Sequence, residues 1–404
     1  MRQDETGSRG GALRGSAAYR RINVALVLAG FSTFSLLYCT QPLMPVFAEF
    51  FRVSAAESSL ALSLSTGFLA VAIFLAGAIS ETTGRKTLMA ASLITAAALN
   101  LAAAVAPNWH ALLAIRALEG IALGGTPAVA MAYLAEEIEP GGLGLAMGLY
   151  VGGNALGGMA GRVLSGIIAD HSSWRVAMGL IGLLGLAVAV GFIVLLPPSR
   201  NFGGRRRMSL RVHMAAWLGH LRAPGLPWLF LTGFLGMGSF VTVYNYAGFR
   251  LGQPPYDLSQ SEIALIFGMY LFGIAASSVA GGLADNLGRG PVMIAGIVAA
   301  LGGVALTLLP ALAMIIAGIA AVTIGFFAAH AVASGWVAGM AKGAKGHASS
   351  LYLLAYYLGS SLMGSLGGWF WAVGGWPAVA GFVGAMLALS MVAALRVAAL
   401  ARRT

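Results

Sequence analysis

A single cysteine, Cys39, stands among 404 residues. It excludes an intrachain disulfide and a thiolate metal cluster. Acidic side chains are scarce as well: 13 Asp and Glu against 24 Lys and Arg, a formal net charge of +11. Charged residues make up 9% of the chain, where a soluble domain carries about 25%. Such a chain cannot cover a water-facing surface. So few acids also argue against a membrane-embedded enzyme, which needs Asp, His or Ser groups converging at one depth. The phosphate loop Gly-x-x-x-x-Gly-Lys-Ser/Thr is missing, which points away from ATP and towards an ion gradient as energy source. Alternation of polarity at every second residue is missing too, which excludes membrane-spanning strands.

What is there is apolar. Hydrophobic residues form 59% of the chain and the mean hydropathy is +0.85. They fall in continuous runs of about 20 residues, the length of a transmembrane helix. The 57 glycines suit helices packed closely in lipid. The expected fold is an all-α membrane protein of twelve transmembrane helices in two six-helix pseudo-repeat bundles. The first six helices are expected at 22–48, 55–80, 87–106, 109–135, 143–169 and 175–196. The second six are expected at 227–250, 260–283, 290–309, 311–338, 346–371 and 377–398.

The division follows: an N-terminal tail 1–21, a first bundle 22–196, a basic linker 197–226, a second bundle 227–398 and a tail 399–404. The N-terminal stretch has no small-residue cleavage site behind a short apolar core, so it reads as a tail rather than a removable signal peptide. The linker carries Arg200, Arg205, Arg206, Arg207, Arg211 and Arg222, with an amphipathic piece expected around Leu210–Leu221. Two Ser-x-x-Glu capping boxes, Ser54 to Glu57 and Ser259 to Glu262, mark the starts of helices two and eight.

The chain reads as one unit written twice. A charged turn with Gly77, Glu81, Gly84, Arg85 and Lys86 returns 204 residues later as Gly281, Asp285, Gly288 and Arg289. Leu149, Tyr150, Gly157, Gly166 and Trp174 return at an offset of 202 as Leu351, Tyr352, Gly359, Gly368 and Trp376. Doubling in a membrane chain points to a transporter with its site between the halves. The basic residues set orientation. With the N-terminus in the cytoplasm, nineteen Lys and Arg fall on the cytoplasmic side and three, Arg52, Arg175 and Arg250, on the outer side. They sit at the ends of apolar runs without interleaved exposed aromatics, so no nucleic-acid partner is expected.

Twelve helices in two halves, a basic central loop and the repeated turn resemble the major facilitator superfamily over roughly residues 20–400. In that family the turn joins helices two and three of each half, with Glu81 here where Asp is usual. The resemblance implies a conformational latch. Glu81, steadied by Arg85, would hold the N-terminus of helix eleven near Gly346 and shut the cytoplasmic side. A further family motif, Arg116, Glu119 and Gly120 with Gly124 and Gly125, lies on helix four. Helix five looks like the antiporter motif, with Gly148, Gly157, Gly161 and Gly166; Arg162 replaces the usual Pro and Ser165 a Gly. The stretches 35–45, 153–162 and 242–248 resemble the YnfM-type bacterial inner-membrane proteins, placed among drug and sugar efflux proteins. The resemblance implies a multi-pass protein of the bacterial inner membrane, both termini cytoplasmic. It would act as a monomer, without cofactor or metal, on a small-molecule substrate and protons. Proton-coupled efflux is expected; a proton-coupled metabolite or sugar importer is the alternative.

An ionisable group at membrane depth is a functional candidate. Glu119 is the only carboxylate near the midplane, and Arg116 and Arg162 lie at similar depth on neighbouring helices. Burial favours a neutral carboxyl and a nearby guanidinium a charged one, so Glu119 can exchange a proton when a partner moves. The rival expectation is a permanent structural pair. Arg162 is expected either to face the cavity, sharing Glu119 or binding an anionic group, or to snorkel as an anchor. The cavity candidates are Tyr38, Gln41, Asn154, Tyr244, Asn245, Tyr246, His330, Tyr356 and Tyr357; Asn154 and Tyr356 are repeat equivalents. The topology has a direct test. With Cys39 replaced, single cysteines at Asn108, Gly203 and Ala344 should differ towards an impermeant thiol reagent added outside. Only the first should react, and labelling at 203 would reverse the orientation.

Overall fold

The computed structural model describes residues 11–199 and 210–402, without the side chains of 76–82 and 210. The first half comprises α1 (Ala17–Tyr38), α2 (Met44–Phe51), α3 (Ala55–Thr83), α4 (Arg85–Ala104), α5 (Trp109–Leu123), α6 (Gly125–Glu137), α7 (Pro140–His171) and α8 (Trp174–Leu195). A connecting helix, α9 (Leu210–Arg222), leads to α10 (Leu226–Leu251), α11 (Gln260–Ile266), one 3-10 turn and α12 (Tyr270–Leu287). The chain closes with α13 (Arg289–Thr307), α14 (Leu312–Met340) and α15 (Lys345–Ala401). Among the described residues the one extended pairing is an isolated bridge between Ala12 and Ile138.

Ten helical runs are long and apolar enough to cross a membrane, with α5–α6 and α11–α12 each counted as one run. One of them, α15, has 57 residues, about 85 Å of helix at 1.5 Å per residue, far more than one bilayer. Gly374 and Gly375 leave helical geometry, Gly375 at φ +58°, and the chain doubles back there. Trp376 Nε1 donates to Thr307 Oγ1 at the turn, while Ala398 returns to Gly290. Glycine-rich α7 is not among the ten, yet its 32 residues pack along α1. With α15 counted twice and α7 added, the chain makes twelve passages.

Three helices depart from expectation. The first passage does not run unbroken from 22 to 48. It begins at Ala17 behind the Ser16 cap and stops at Tyr38. Pro42 offers no backbone donor and its ring crowds the carbonyl four residues back, so the helix cannot continue. The passage near 109–135 bends at Gly124–Gly125, and the eighth is interrupted by the turn Phe267–Met269. The N-terminal tail is also shorter than expected, since Ala12 bonds to Glu137 and Glu139.

The two charged turns take the same backbone shape. Gly84 has φ 86°, ψ 147° and Gly288 has φ 86°, ψ 152°, conformations that favour glycine. Both capping boxes form, with Glu57 and Glu262 accepting from Ser54 N and Ser259 N at 2.8 Å each. Inside the linker, α9 carries Trp217, whose ring stacks 4.0 Å from Phe74 of α3 and lies 5.7 Å from His347 of α15. It therefore bridges the two halves at the end of the bundle that holds both termini.

Glycines set the closest helix contacts. A Cβ on Gly153, Gly157 or Gly161 would strike the backbone of α1 at Val27, Phe31 or Ser35. Gly359 of α15 meets Phe234 of α10 in the same way. Gly148 is different: it is exposed and faces open space. Gly157→Ala should therefore cost about 1–3 kcal/mol, the usual scale of overpacking, and Gly148→Ala less than about 0.5 kcal/mol. Thermal unfolding of the purified variants in detergent measures both.

Candidate functional site

A cavity of about 520 Å³ lies between the halves. Four residues of α7 spaced by four, Tyr150, Asn154, Gly158 and Arg162, line it in a row from the terminal end to mid-depth. Glycines 153, 157 and 161 occupy the neighbouring stripe against α1, so α7 packs with one face and lines the cavity with the other. Tyr352 and Tyr356 of α15, the repeat equivalents of Tyr150 and Asn154, line the opposite wall. His330 of α14 completes it, with Nδ1 2.9 Å from the Tyr352 hydroxyl and its ring 4.7 Å from that of Tyr356.

Towards the far end, away from the termini, the halves close on each other. Gln41 Nε2 donates to Asn245 Oδ1 at 2.7 Å. The contact joins the first passage of one half to the first passage of the other. Around them, Ser361 Oγ donates to the Ser63 carbonyl at 2.7 Å and Gln260 Nε2 to the Pro42 carbonyl. Gly368 packs on Ala56, and Gly166 on Ala264. The cavity is thus blind at mid-depth and continues past Met131, Val337 and Ser349 towards the terminal end.

Of the nine cavity candidates, Tyr38, Asn154, His330, Tyr356 and Tyr357 line it. Gln41 and Asn245 form the seal instead. Tyr244 bonds Thr323 Oγ1 at 2.8 Å and Tyr246 bonds the Gly364 carbonyl at 2.9 Å, both behind the wall. Every residue of α10 from 237 to 249 is buried, so polarity alone does not tell which face of this stretch meets the cavity. Tyr150 and Tyr352 also line it; their place in the repeat, one turn before Asn154 and Tyr356, was the signal. Tyr270 had none, because the 3-10 turn before it shifts the face.

The three intramembrane charges separate. Arg116 and Glu119 are fully buried and outside the cavity. Arg116 Nη1 donates to Glu119 Oε2 at 2.5 Å and to the Leu36 carbonyl at 3.2 Å. Its Nη2 reaches the Leu37 carbonyl at 2.7 Å and its Nε the Ala61 carbonyl at 3.0 Å. Arg116 thereby caps the broken end of α1, where a cation is favoured. Ser165 Oγ takes the Cys39 carbonyl at 2.7 Å. Arg162 does not share Glu119. It lines the cavity and bonds Gln41 Oε1 at 2.5 Å and the Gly158 carbonyl at 2.6 Å.

At the charged turn, Arg85 pairs with Glu136, Nη2 to Oε1 at 2.7 Å, and Lys86 Nζ takes the Ile193 and Leu196 carbonyls at 2.8 and 2.5 Å. Asp285 and Arg289 are exposed, Arg289 lying over Gly339. Gly281 is exposed beside open space. The side chains of Gly77 and Glu81 lie outside the described residues. Among the described residues no group of three His, Cys, Asp or Glu is placed to hold a metal.

The sequence matches a family model described as Major Facilitator Superfamily over residues 26–254 and 251–403. The uncharacterized MFS-type transporter YybF of Bacillus subtilis (strain 168) is 44% identical over 378 residues, covering 94% of this chain and 93% of the relative. The inner membrane transport protein YnfM of Escherichia coli (strain K12) is 44% identical over 385 residues, covering 95% and 92%. A bacterial homolog of the human lysosomal transporter Spinster, solved in an inward-facing and occupied conformation, superposes with a TM-score of 0.74 at 16% identity, covering 96% and 98%.

The far-end seal has a chemical test. A Cβ on Gly67 would lie 3.5 Å from that of Ser361 across the halves, within disulfide reach. Gly67→Cys with Ser361→Cys in a Cys39→Ser background should crosslink under mild oxidant and shift mobility on a non-reducing gel. A pair that stays reduced would mean that the halves do not meet along this line in the membrane.

Proposed function

The chain belongs to the Major Facilitator Superfamily, and on that premise we propose that it exports a small organic solute in exchange for protons by alternating access. It is a multi-pass secondary transporter. The observation that carries the finer reading is the cavity between the halves, blind at one end and continuing towards the other. The nineteen-to-three distribution of Lys and Arg puts the continuing end in the cytoplasm of a bacterial cell, with the protein acting as a monomer in the inner membrane. Rocking of the halves about the Gln41–Asn245 contact then turns the site outward.

Glu119 is the proton site in this proposal. Its carboxylate is one of the four acceptors of Arg116, and its Oε1 has no partner. Arg116 in turn holds the stretch of α3 that forms the seal. It donates to the Ala61 carbonyl, and its own carbonyl accepts from Ser65 Oγ at 2.8 Å. Protonating Glu119 removes the counter-charge of Arg116 and loosens α5 from α1 and α3, so the proton and the seal are linked through one guanidinium.

Reconstituted vesicles with an imposed proton gradient test this. A panel of dyes, sugars and organic acids should reveal uphill movement coupled to a change of internal pH. Glu119→Gln should still exchange solute across the membrane but lose uphill movement entirely. If the variant concentrates solute as the parent does, the proton site is elsewhere.

A further inference from the structure

We propose that the cavity binds an organic anion whose carboxylate sits on Arg162; this rests on the reading of the cavity as the solute site. The molecule supplies its own standard of comparison. Arg116 and Arg162 are both essentially inaccessible, at 0% and 1% exposure. All three nitrogens of Arg116 are bonded, and one of its four acceptors is a carboxylate. Arg162 has two acceptors, Gln41 and Gly158, both neutral. Its Nη2 has none. Among the described residues no carboxylate pairs with it, and it is the only Asp, Glu, Lys or Arg lining the cavity. Relative to Arg116, Arg162 has two acceptors fewer, and a carboxylate is one of those missing.

Aromatic rings crowd the guanidinium. Its carbon lies 3.8 Å from the centroid of Tyr38 and 4.6 Å from that of Tyr270. Both rings are within cation–π distance of the guanidinium. With Nε on Gln41 and Nη1 on Gly158, Nη2 is the nitrogen left to donate to a carboxylate. A buried guanidinium without counter-charge is unfavourable, and an anion relieves it where a neutral or cationic solute does not. Beyond the head group, nine Tyr and Phe rings line the wall, with Asn154, His330 and the hydroxyls of Ser277, Ser334 and Ser349 as further polar groups. The ligand class is a small monocarboxylate with an apolar or aromatic body.

Gln41 joins this site to the seal. Its Oε1 accepts from Arg162 while its Nε2 donates to Asn245 of the other half. A ligand that draws the guanidinium into the cavity acts on the contact between the two halves.

Calorimetric titration of the purified protein in detergent with benzoate, phenylacetate and benzamide tests the assignment. At least one carboxylate should bind and benzamide, the neutral analogue of benzoate, should not. That carboxylate should bind at least about tenfold more weakly to Arg162→Lys, which keeps the charge but not the planar edge. Binding should be lost in Arg162→Gln. Silence from both carboxylates, equal binding of benzoate and benzamide, or unchanged carboxylate affinity in Arg162→Gln would overturn it. The comparison of benzoate with benzamide is made on the unaltered protein, so a variant that fails to fold does not spoil it. No gradient exists in micelles, so failure of the proton-exchange reading leaves this result untouched.

Discussion

A helix that stops inside an apolar interior strands carbonyl groups that water cannot reach. The first passage stops this way, four residues before Pro42, among side chains that are wholly buried. The polar residues of the first half are placed largely to meet that need. Arg116 comes from α5 for Leu36 and Leu37, Ser165 from α7 for Cys39, and Gln260 from the second half for Pro42. Glu119 then answers the charge that Arg116 brings. One proline thus accounts for a buried ion pair, a Ser where the helix-five motif usually has Gly, and a bond across the two halves.

The repeat explains the rest of the architecture and also its one-sidedness. The first passages of the two halves meet directly at Gln41 and Asn245, much as subunits meet in a symmetric dimer. The packing of α3 on α15 and of α7 on α11 are symmetric counterparts that close the far end together. Tyr150 and Tyr352 face each other across the cavity by the same rule. The symmetry fails at Arg162, whose equivalent at the offset of 202 is Gly364, a residue that offers only its carbonyl, to Tyr246 and Asn245. The charge of the cavity therefore belongs to one half, and a ligand that needs it binds off centre.

Much of this was legible in the sequence because it depends on local rules. Apolar runs give the passages, Ser-x-x-Glu gives two helix starts, and a glycine before Arg85 and Arg289 gives two turns of identical backbone shape. What depended on facing was not legible. Gly148 belongs to the motif of helix five, but one face removed from the contact with α1; Gly153 sits in the contact and was passed over. Tyr244 and Tyr246 are as polar as Tyr38, and in a stretch of helix that is buried throughout, polarity does not point inward. The partners of Arg116 were hidden for another reason: three are backbone carbonyls, which have no signature in the sequence.

Two arginines at similar depth on helices that both pack on α1 do opposite things because of what surrounds them. Arg116 has its carboxylate built in, so its charge is balanced whenever Glu119 is ionised. Arg162 has none. It is already buried and unpaired, and the effective penalty for burying an unpaired ion in a protein is several kcal/mol. On the reading in which Arg162 seats an anion, that penalty falls on the empty transporter and is lifted in the loaded one. The empty carrier then reorients slowly and the loaded carrier quickly. This difference ties movement of the halves to occupancy, the condition an exchanger has to meet.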